Sequence, residues 1–298
     1  MFKIIENTKI WFTLSLLIIA IGMGFWIVKG LNYGIDFAGG TVLQIDLKHP
    51  VKTEEVMQIR EIASKYANDA QVSTVDNTGV VIRSSVLSED QGNKIEQLKK
   101  DVSDKYNVDI KTWTTETVGP SIGNELKQKA VLSLFTASAA ILIYVALRFE
   151  LKSGVAAVLA MLHDVLITLS VYSILRIPVN SSFIAAILTV IGYSINDTIV
   201  IFDRIRENMK TMRNVSYEEL ADVSLTQTMS RSINTGMSTL FTITAVYFIG
   251  VSSVKELALP LIVGIISGCY SSIFIATPIW VMWKNHDKKN KDVVRANA

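Results

Sequence analysis

The chain has 298 residues, half of them apolar, with a mean hydropathy of +0.36 and a net charge of only +2. That balance excludes an ordinary soluble domain and offers no overall positive field for binding nucleic acid. A single cysteine, Cys269, excludes an intramolecular disulfide and any cysteine-based zinc site, and its apolar setting makes it a small packing residue.

Taken in order, the first expected element is a span from Ile10 to Val28 flanked by Lys9 and Lys29. Its apolar core is too long for a signal peptide and no small-x-small cleavage site follows, so it reads as a retained anchor. Asn32-Tyr33-Gly34-Ile35-Asp36-Phe37-Ala38-Gly39-Gly40 reads as a tight exit into a strand, with Asp36 bonding its own backbone.

Residues 41–118 have soluble character. A strand is expected at Thr41–Leu47 and a helix at Thr53–Tyr66, capped by Thr53, with Val56, Ile59, Ile62, Ala63 and Tyr66 on one face. Strands at Gln71–Val75 and Gly79–Ser84 are joined by Asp76-Asn77-Thr78-Gly79. A second helix at Ser88–Tyr106 carries Ile95, Leu98, Val102 and Tyr106, and a last strand covers Val108–Val118. This β-α-β-β-α-β order suggests a small α+β, ferredoxin-like domain. It contains no catalytic constellation, so binding or mechanical work is expected of it.

Gly119 to Gly123 is the expected linker back to the membrane. Further spans are expected at Ala130–Leu147, Ser153–Leu175, Ser181–Phe202, Thr228–Ile249 and Leu257–Trp283. A polar segment at Asp203–Gln227 should hold a surface helix over Tyr217–Val223. The divisions are therefore 1–29, the N-terminus and first span; 30–128, the α+β domain; 129–283, spans two to six; and 284–298, a basic tail. Lys and Arg gather at Lys3 and Lys9, at Arg148 and Lys152, at Arg204, Arg206, Lys210 and Arg213, and at Lys284 to Arg295. The alternate short loops hold only Arg176 and Lys255. This asymmetry predicts six spans with both termini in the cytoplasm and the α+β domain outside.

Four strongly ionisable side chains fall within the expected spans: His163, Asp164, Asp197 and Arg231. Such groups are costly in a bilayer and mark ion paths. Span five has too short an apolar run to cross alone, so it must recruit the polar stretch before it. Arg231, Thr235, Ser238 and Thr242 then fall on one face, which must turn away from lipid. His163 precedes Asp164 directly and so should point about 100° away from it.

The run Gly192-Tyr193-Ser194-Ile195-Asn196-Asp197-Thr198-Ile199-Val200-Ile201-Phe202-Asp203-Arg204-Ile205-Arg206-Glu207-Asn208 closely resembles a block of the SecF branch of the SecD/SecF family. Gly34-Ile35-Asp36-Phe37-Ala38-Gly39-Gly40, the 148–165 block and Ser230-Arg231-Ser232-Ile233-Asn234-Thr235 also resemble that family. The resemblance implies a membrane α-helical bundle of six transmembrane helices, half of a resistance-nodulation-division transporter fold. It implies proton passage at Arg231; with the intramembrane carboxylates Asp197 and Asp164 this reads as a proton relay, with Asn196, Asn234, Thr235, Ser238 and His163 as supporting polar groups, while packing for His163 and snorkelling to the headgroups for Arg231 are the alternatives. Gly34, Asp36, Gly39 and Gly40 would form the structural turn. It further implies a bacterial cell-membrane protein translocation subunit that acts with a separate SecD chain, the SecYEG channel, SecA, YajC and the preprotein. The proton gradient would supply energy, with no cofactor, no metal and no nucleotide hydrolysis, and no Walker-type loop is present. A proton-coupled exporter of small molecules or lipids and a passive assembly factor are the competing readings.

Overall fold

The computed structural model describes residues 3–296 except 76, 86, 88–91, 149, 213 and 251. It divides into two units. One comprises residues 1–31, 133–177 and 182–298; the other comprises 32–132 with the short loop 178–181.

The smaller unit is a four-stranded antiparallel sheet, β1 Gly40–Asp46, β2 Gln71–Val75, β3 Gly79–Ser84 and β4 Thr114–Val118, in the order β2-β3-β1-β4. Helices α3 Thr53–Ser64 and α4 Gly92–Tyr106 supply Ile59, Ile62, Ile95, Leu98 and Val102 to its core, against Leu43, Ile45 and Ile82. Period-3.6 and period-2 patterns thus meet on one buried face. Asp69 ties the start of β2 to the end of β3 by accepting from Ser84 Oγ and from the amide and hydroxyl of Ser85. Burial pushes its carboxyl up, but these three donors outweigh that and hold it below the usual carboxylate range.

Several boundaries differ from expectation. Thr53 is not the cap of α3; Lys52 holds that position, and Glu55 accepts from the Lys52 amide. The last strand covers only Thr114–Val118, because Asp109 accepts from the Lys111 amide and turns Ile110–Thr112 into a 3-10 helix. Asp76, in the expected hairpin turn, and the expected start of the second helix at Ser88 lie outside the described residues.

The glycine-rich exit is also different. Residues Ile35–Ala38 form a single helical turn, α2, and Asp36 accepts from the Ser181 amide at 2.7 Å rather than from its own backbone. The Gly34 amide donates to Val179 O, and the Val179 amide to Asn32 O. The 178–181 loop is therefore stitched to this turn. Gly39 and Gly40 have φ of +76° and +125°, and a Cβ on Gly40 would collide with the carbonyl of Ser84.

The larger unit is helical. It contains α1 Thr8–Lys29, α5 Pro120–Arg148, in which the division between units falls, α6 Leu151–Leu175, α7 Ser181–Thr211, α8 Tyr217–Ile249, α9 Ser252–Ser271 and α10 Thr277–Ala296. A π-helical turn, Ser272–Ala276, runs between α9 and α10. Five segments among the described residues are long and apolar enough to cross a membrane: Ile5–Lys29, Ile122–Val145, Leu151–Leu175, Ser181–Thr211 and Val254–Asp287. The fifth expected span, in α8, does not join them on composition, because the first half of that helix is polar. Its 33 residues extend about 50 Å. It is one continuous helix, so Tyr217–Val223 is its first two turns and not a separate surface helix. Ser216 caps it by accepting from the Glu219 amide.

Likewise α7 continues to Thr211, into the expected polar segment, and α10 continues through the basic tail to Ala296. Lys284 pairs with Glu150, and Lys152 with Asp287, which ties the start of α6 to α10. Close helix approach rests on glycines, among them Gly264 of α9, where a Cβ would overlap Val190 of α7. A Cβ on Gly22 of α1 would overlap Ser170 of α6, and one on Gly236 of α8 would overlap the Cys269 sulfur of α9. Cys269 is thus a packing residue.

Gly40→Ala should destabilise the smaller unit by about 1–3 kcal/mol, the usual cost of a disallowed backbone conformation, with the Ser84 collision added. Hydrogen exchange of the β1 and β3 amides in the full chain measures this. Unchanged protection there would show that the turn tolerates a side chain.

Candidate functional site

The larger unit buries a carboxylate inside its helix packing. Asp164, on α6, is 1% exposed. Its Oδ2 accepts from Ser194 Oγ of α7 at 2.6 Å and from Ser271 Oγ of α9 at 2.7 Å. Its Oδ1 accepts from Ser267 Oγ of α9 at 2.6 Å and lies 3.1 Å from His163 Nδ1. Three helices therefore converge on one carboxyl group. Gly268 lets α9 approach, since a Cβ there would already touch Ser194 at 3.3 Å.

The spacing of the serines follows from the helix. Ser267 and Ser271 are four residues apart, one turn, and so reach the two oxygens of the same carboxyl. His163 does not point away from Asp164 as the sequence suggests. Both side chains are buried and bend toward the helices that cover α6, which brings Nδ1 to Oδ1 across the 100° step. The far nitrogen, Nε2, lies 2.9 Å from Ser15 Oγ on α1.

Asp197, on α7, is placed differently. It is half-buried, and its Oδ2 is enclosed without a hydrogen-bond partner among the described residues. Ser232 of α8, Ser272 at the π turn and Arg231 are its polar neighbours. The Ser232 hydroxyl is likewise buried without a bond, while Ser272 donates to the Gly268 carbonyl. Among the described residues these two enclosed atoms meet no hydrogen-bond partner at good geometry, although Ser232 and Ser272 both lie close to the Asp197 carboxyl.

Arg231 and Asp197 form no direct ion pair at the geometry observed. Arg231 is exposed, as are Asn234, Thr235, Ser238 and Thr242 on the same helix, and Asn196 on α7. Within this chain alone the polar face of α8 is not covered by other helices. The face that α8 buries carries Leu225, Thr228, Ser232 and Gly236 instead. Gly34, Asp36, Gly39 and Gly40 belong to the smaller unit and form its turn.

Sequence reasoning missed the four serines, because Ser194, Ser267, Ser271 and Ser15 carry no charge and lie in apolar runs. The one signal available was the i, i+4 pair Ser267 and Ser271. It also missed Asp222, which accepts from the amides of Ile4 and Ile5 and fixes the N-terminal segment on α8.

Comparison with known proteins bears on this arrangement. The profile described as "Protein export membrane protein SecD/SecF, C-terminal" matches residues 97–286, and that of the "SecD/SecF GG Motif" matches residues 24–51. The chain belongs to the SecD/SecF family. It is 38% identical to the protein translocase subunit SecF of Thermobaculum terrenum, over 96% of this chain and 95% of that one. It is 39% identical to the SecF subunit of Haemophilus influenzae, over 91% of this chain and 82% of that one. The crystal structure of SecDF from Thermus thermophilus superposes with a TM-score of 0.84 at 37% identity, covering 95% of this chain. The chain spans 39% of the length of that SecDF structure. With its apolar helices, this member of the SecD/SecF family is a multi-pass membrane protein.

Asp164→Leu should be strongly destabilising, at about 1–3 kcal/mol for each serine hydroxyl left without an acceptor. Asp164→Asn keeps one acceptor oxygen and should retain most of that stability. Thermal unfolding of the two variants in detergent decides it. Equal midpoints would mean that the serine cluster contributes nothing to packing.

Proposed function

We propose that this chain is a SecF-type accessory subunit of the Sec translocon that uses the proton-motive force to help complete preprotein translocation. The match to SecF subunits along nearly the whole chain supports the translocation role. The observation that carries the proton reading is the enclosed Oδ2 of Asp197, which has no partner of good hydrogen-bond geometry among the described residues although Ser232 and Ser272 lie close to the carboxyl and Arg231 is within electrostatic range. A carboxyl so placed is poised to exchange a proton rather than to hold the fold together.

In this reading the proton changes the charge of Asp197. Approach of Arg231 stabilises the carboxylate, and withdrawal favours the neutral acid. A motion that carries Arg231 toward and away from Asp197 then loads a proton on one side and releases it on the other. The membrane potential supplies about 2.3 kcal/mol per charge per 100 mV, enough to bias a gap of that size. Asp164, fully bonded, stands as the second carboxyl of the relay.

The exposed polar face of α8 supports a partner chain of the SecD type. A face bearing Arg231, Asn234, Thr235, Ser238 and Thr242 is costly against hydrocarbon and is satisfied by another helix. SecDF relatives, more than twice this length, contain such a partner region in one chain by name. The β-α-β-β-α-β order and the β2-β3-β1-β4 sheet support a ferredoxin-like description of the smaller unit. With α8 as a spanning helix, six spans follow, both termini are cytoplasmic and the smaller unit works outside, acting with SecYEG and SecA without hydrolysing nucleotide.

Preprotein translocation into vesicles containing SecD, under an imposed proton gradient, tests the reading. Asp197→Asn should abolish gradient stimulation and leave ATP-driven initiation intact. Full stimulation in this variant at equal membrane levels would contradict a relay through Asp197.

A further inference from the structure

A cavity at one end of the helical unit takes no part in the relay. It measures about 390 Å³, within the range of small-molecule sites. It lies where α6 begins and where α7 and α10 pass from apolar to charged residues. Phe202, Ile205 and Met209 of α7 give it an apolar wall, and Trp280 of α10 adds an aromatic one.

Donors around this cavity are left over. Arg206 lines it, is exposed, and has no hydrogen-bond or ion-pair partner among the described residues. Trp280 is buried, and its Nε1–H has no acceptor among the described residues. Tyr217 packs edge-on to that ring, and the Lys284 ammonium lies over its face. The start of α6 is also open. The Gly154 amide donates to Glu150 O, the first bond of the helix, and no side chain caps the amides of Leu151, Lys152 and Ser153. Glu150 and Ser153 border the cavity, so this turn forms part of its rim.

The neighbouring charges are already matched. Glu150 accepts from Lys284 through both oxygens at 2.7 Å, Lys152 pairs with Asp287, and Arg204 pairs with Glu207. The cavity therefore offers an unmatched guanidinium and unused N–H groups beside apolar surface. A helix N-terminus and a guanidinium together favour phosphate, and the apolar wall asks for hydrocarbon next to it. The helices that meet here end their membrane-crossing segments at this depth, where phospholipid headgroups are the solvent.

We propose that this cavity binds the headgroup of an anionic phospholipid. Arg206 takes the phosphate, and the positive end of α6 adds its field. The first methylenes of the lipid lie against Phe202, Ile205 and Met209. A small shift of the Trp280 ring brings its N–H to a lipid oxygen. One headgroup thus ties α6, α7 and α10 together, independently of the two buried carboxyls.

The test titrates the purified full chain in detergent with phosphatidylglycerol and with phosphatidylcholine of the same acyl chains. Native mass spectrometry follows binding, and inorganic phosphate is added as a competitor. Phosphatidylglycerol should bind about tenfold more tightly than phosphatidylcholine and should not be displaced by phosphate. Arg206→Gln should weaken phosphatidylglycerol about tenfold, the scale of a charge-assisted hydrogen bond, and Trp280→Phe about fivefold, that of a neutral one. Lys210→Gln removes the same charge from an exposed site on α7 outside the cavity wall and should change nothing. Thermal midpoints check that each variant is folded; if Trp280→Phe is not, Arg206→Gln decides alone. Equal affinity for the two lipids overturns the proposal. So does wild-type affinity in Arg206→Gln or in a folded Trp280→Phe. An equal loss in Lys210→Gln would mark general attraction to a basic surface and overturns it too. Full displacement by inorganic phosphate would make the ligand a soluble anion, which also overturns it.

Discussion

The packing of the helical unit depends on the Asp164 carboxyl and the hydroxyls that surround it. Four donors or acceptors from α6, α7 and α9 converge on two oxygens. In a hydrocarbon setting helices gain little by burying apolar surface against one another, so close contact of small residues and hydrogen bonds decide which faces meet. Ser194, Ser267, Gly268 and Ser271 provide both. Around this centre Gly22 admits α1 against Ser170, and Gly236 admits α8 against Cys269.

That closure makes the contrast with Asp197 informative. The two carboxyls lie on neighbouring helices of one unit. One is saturated with bonds, and the other has an enclosed oxygen with none among the described residues. A saturated carboxyl holds helices in register. An unsatisfied one is a place where a small change of position or protonation alters the energy most. The π turn at Ser272–Ala276 adds to this, because it begins beside Asp197 and one residue after a ligand of Asp164. Such turns are frequent where a helix serves a function rather than simple packing.

Much of the fold was legible in the sequence because it rests on periodic burial. The stripes Ile59-Ile62-Ala63 and Ile95-Leu98-Val102 face the sheet as their spacing requires. Charge within apolar runs singled out Asp164 and Asp197. What was not legible depends on contacts between distant residues. Asp36 bonds the Ser181 amide, 145 positions away, and nothing local in the glycine-rich turn encodes that partner. The His163–Asp164 bond was misjudged because helical angle fixes where Cβ atoms point, not where long side chains end. The continuity of α8 was missed because its polar first half resembles a loop by hydropathy, although Ser216 and Glu219 mark its start. That the polar face of α8 stays exposed within this chain was not legible either, because which face a helix buries is set by its packing against distant residues.

The most direct test of the account is infrared difference spectroscopy of the complex with SecD in vesicles, recorded across a pH change. The account predicts a protonated-carboxyl band that appears and disappears with pH and is absent in Asp197→Asn. The same titrating band, unchanged in Asp197→Asn, would contradict the claim that Asp197 is the group that exchanges the proton.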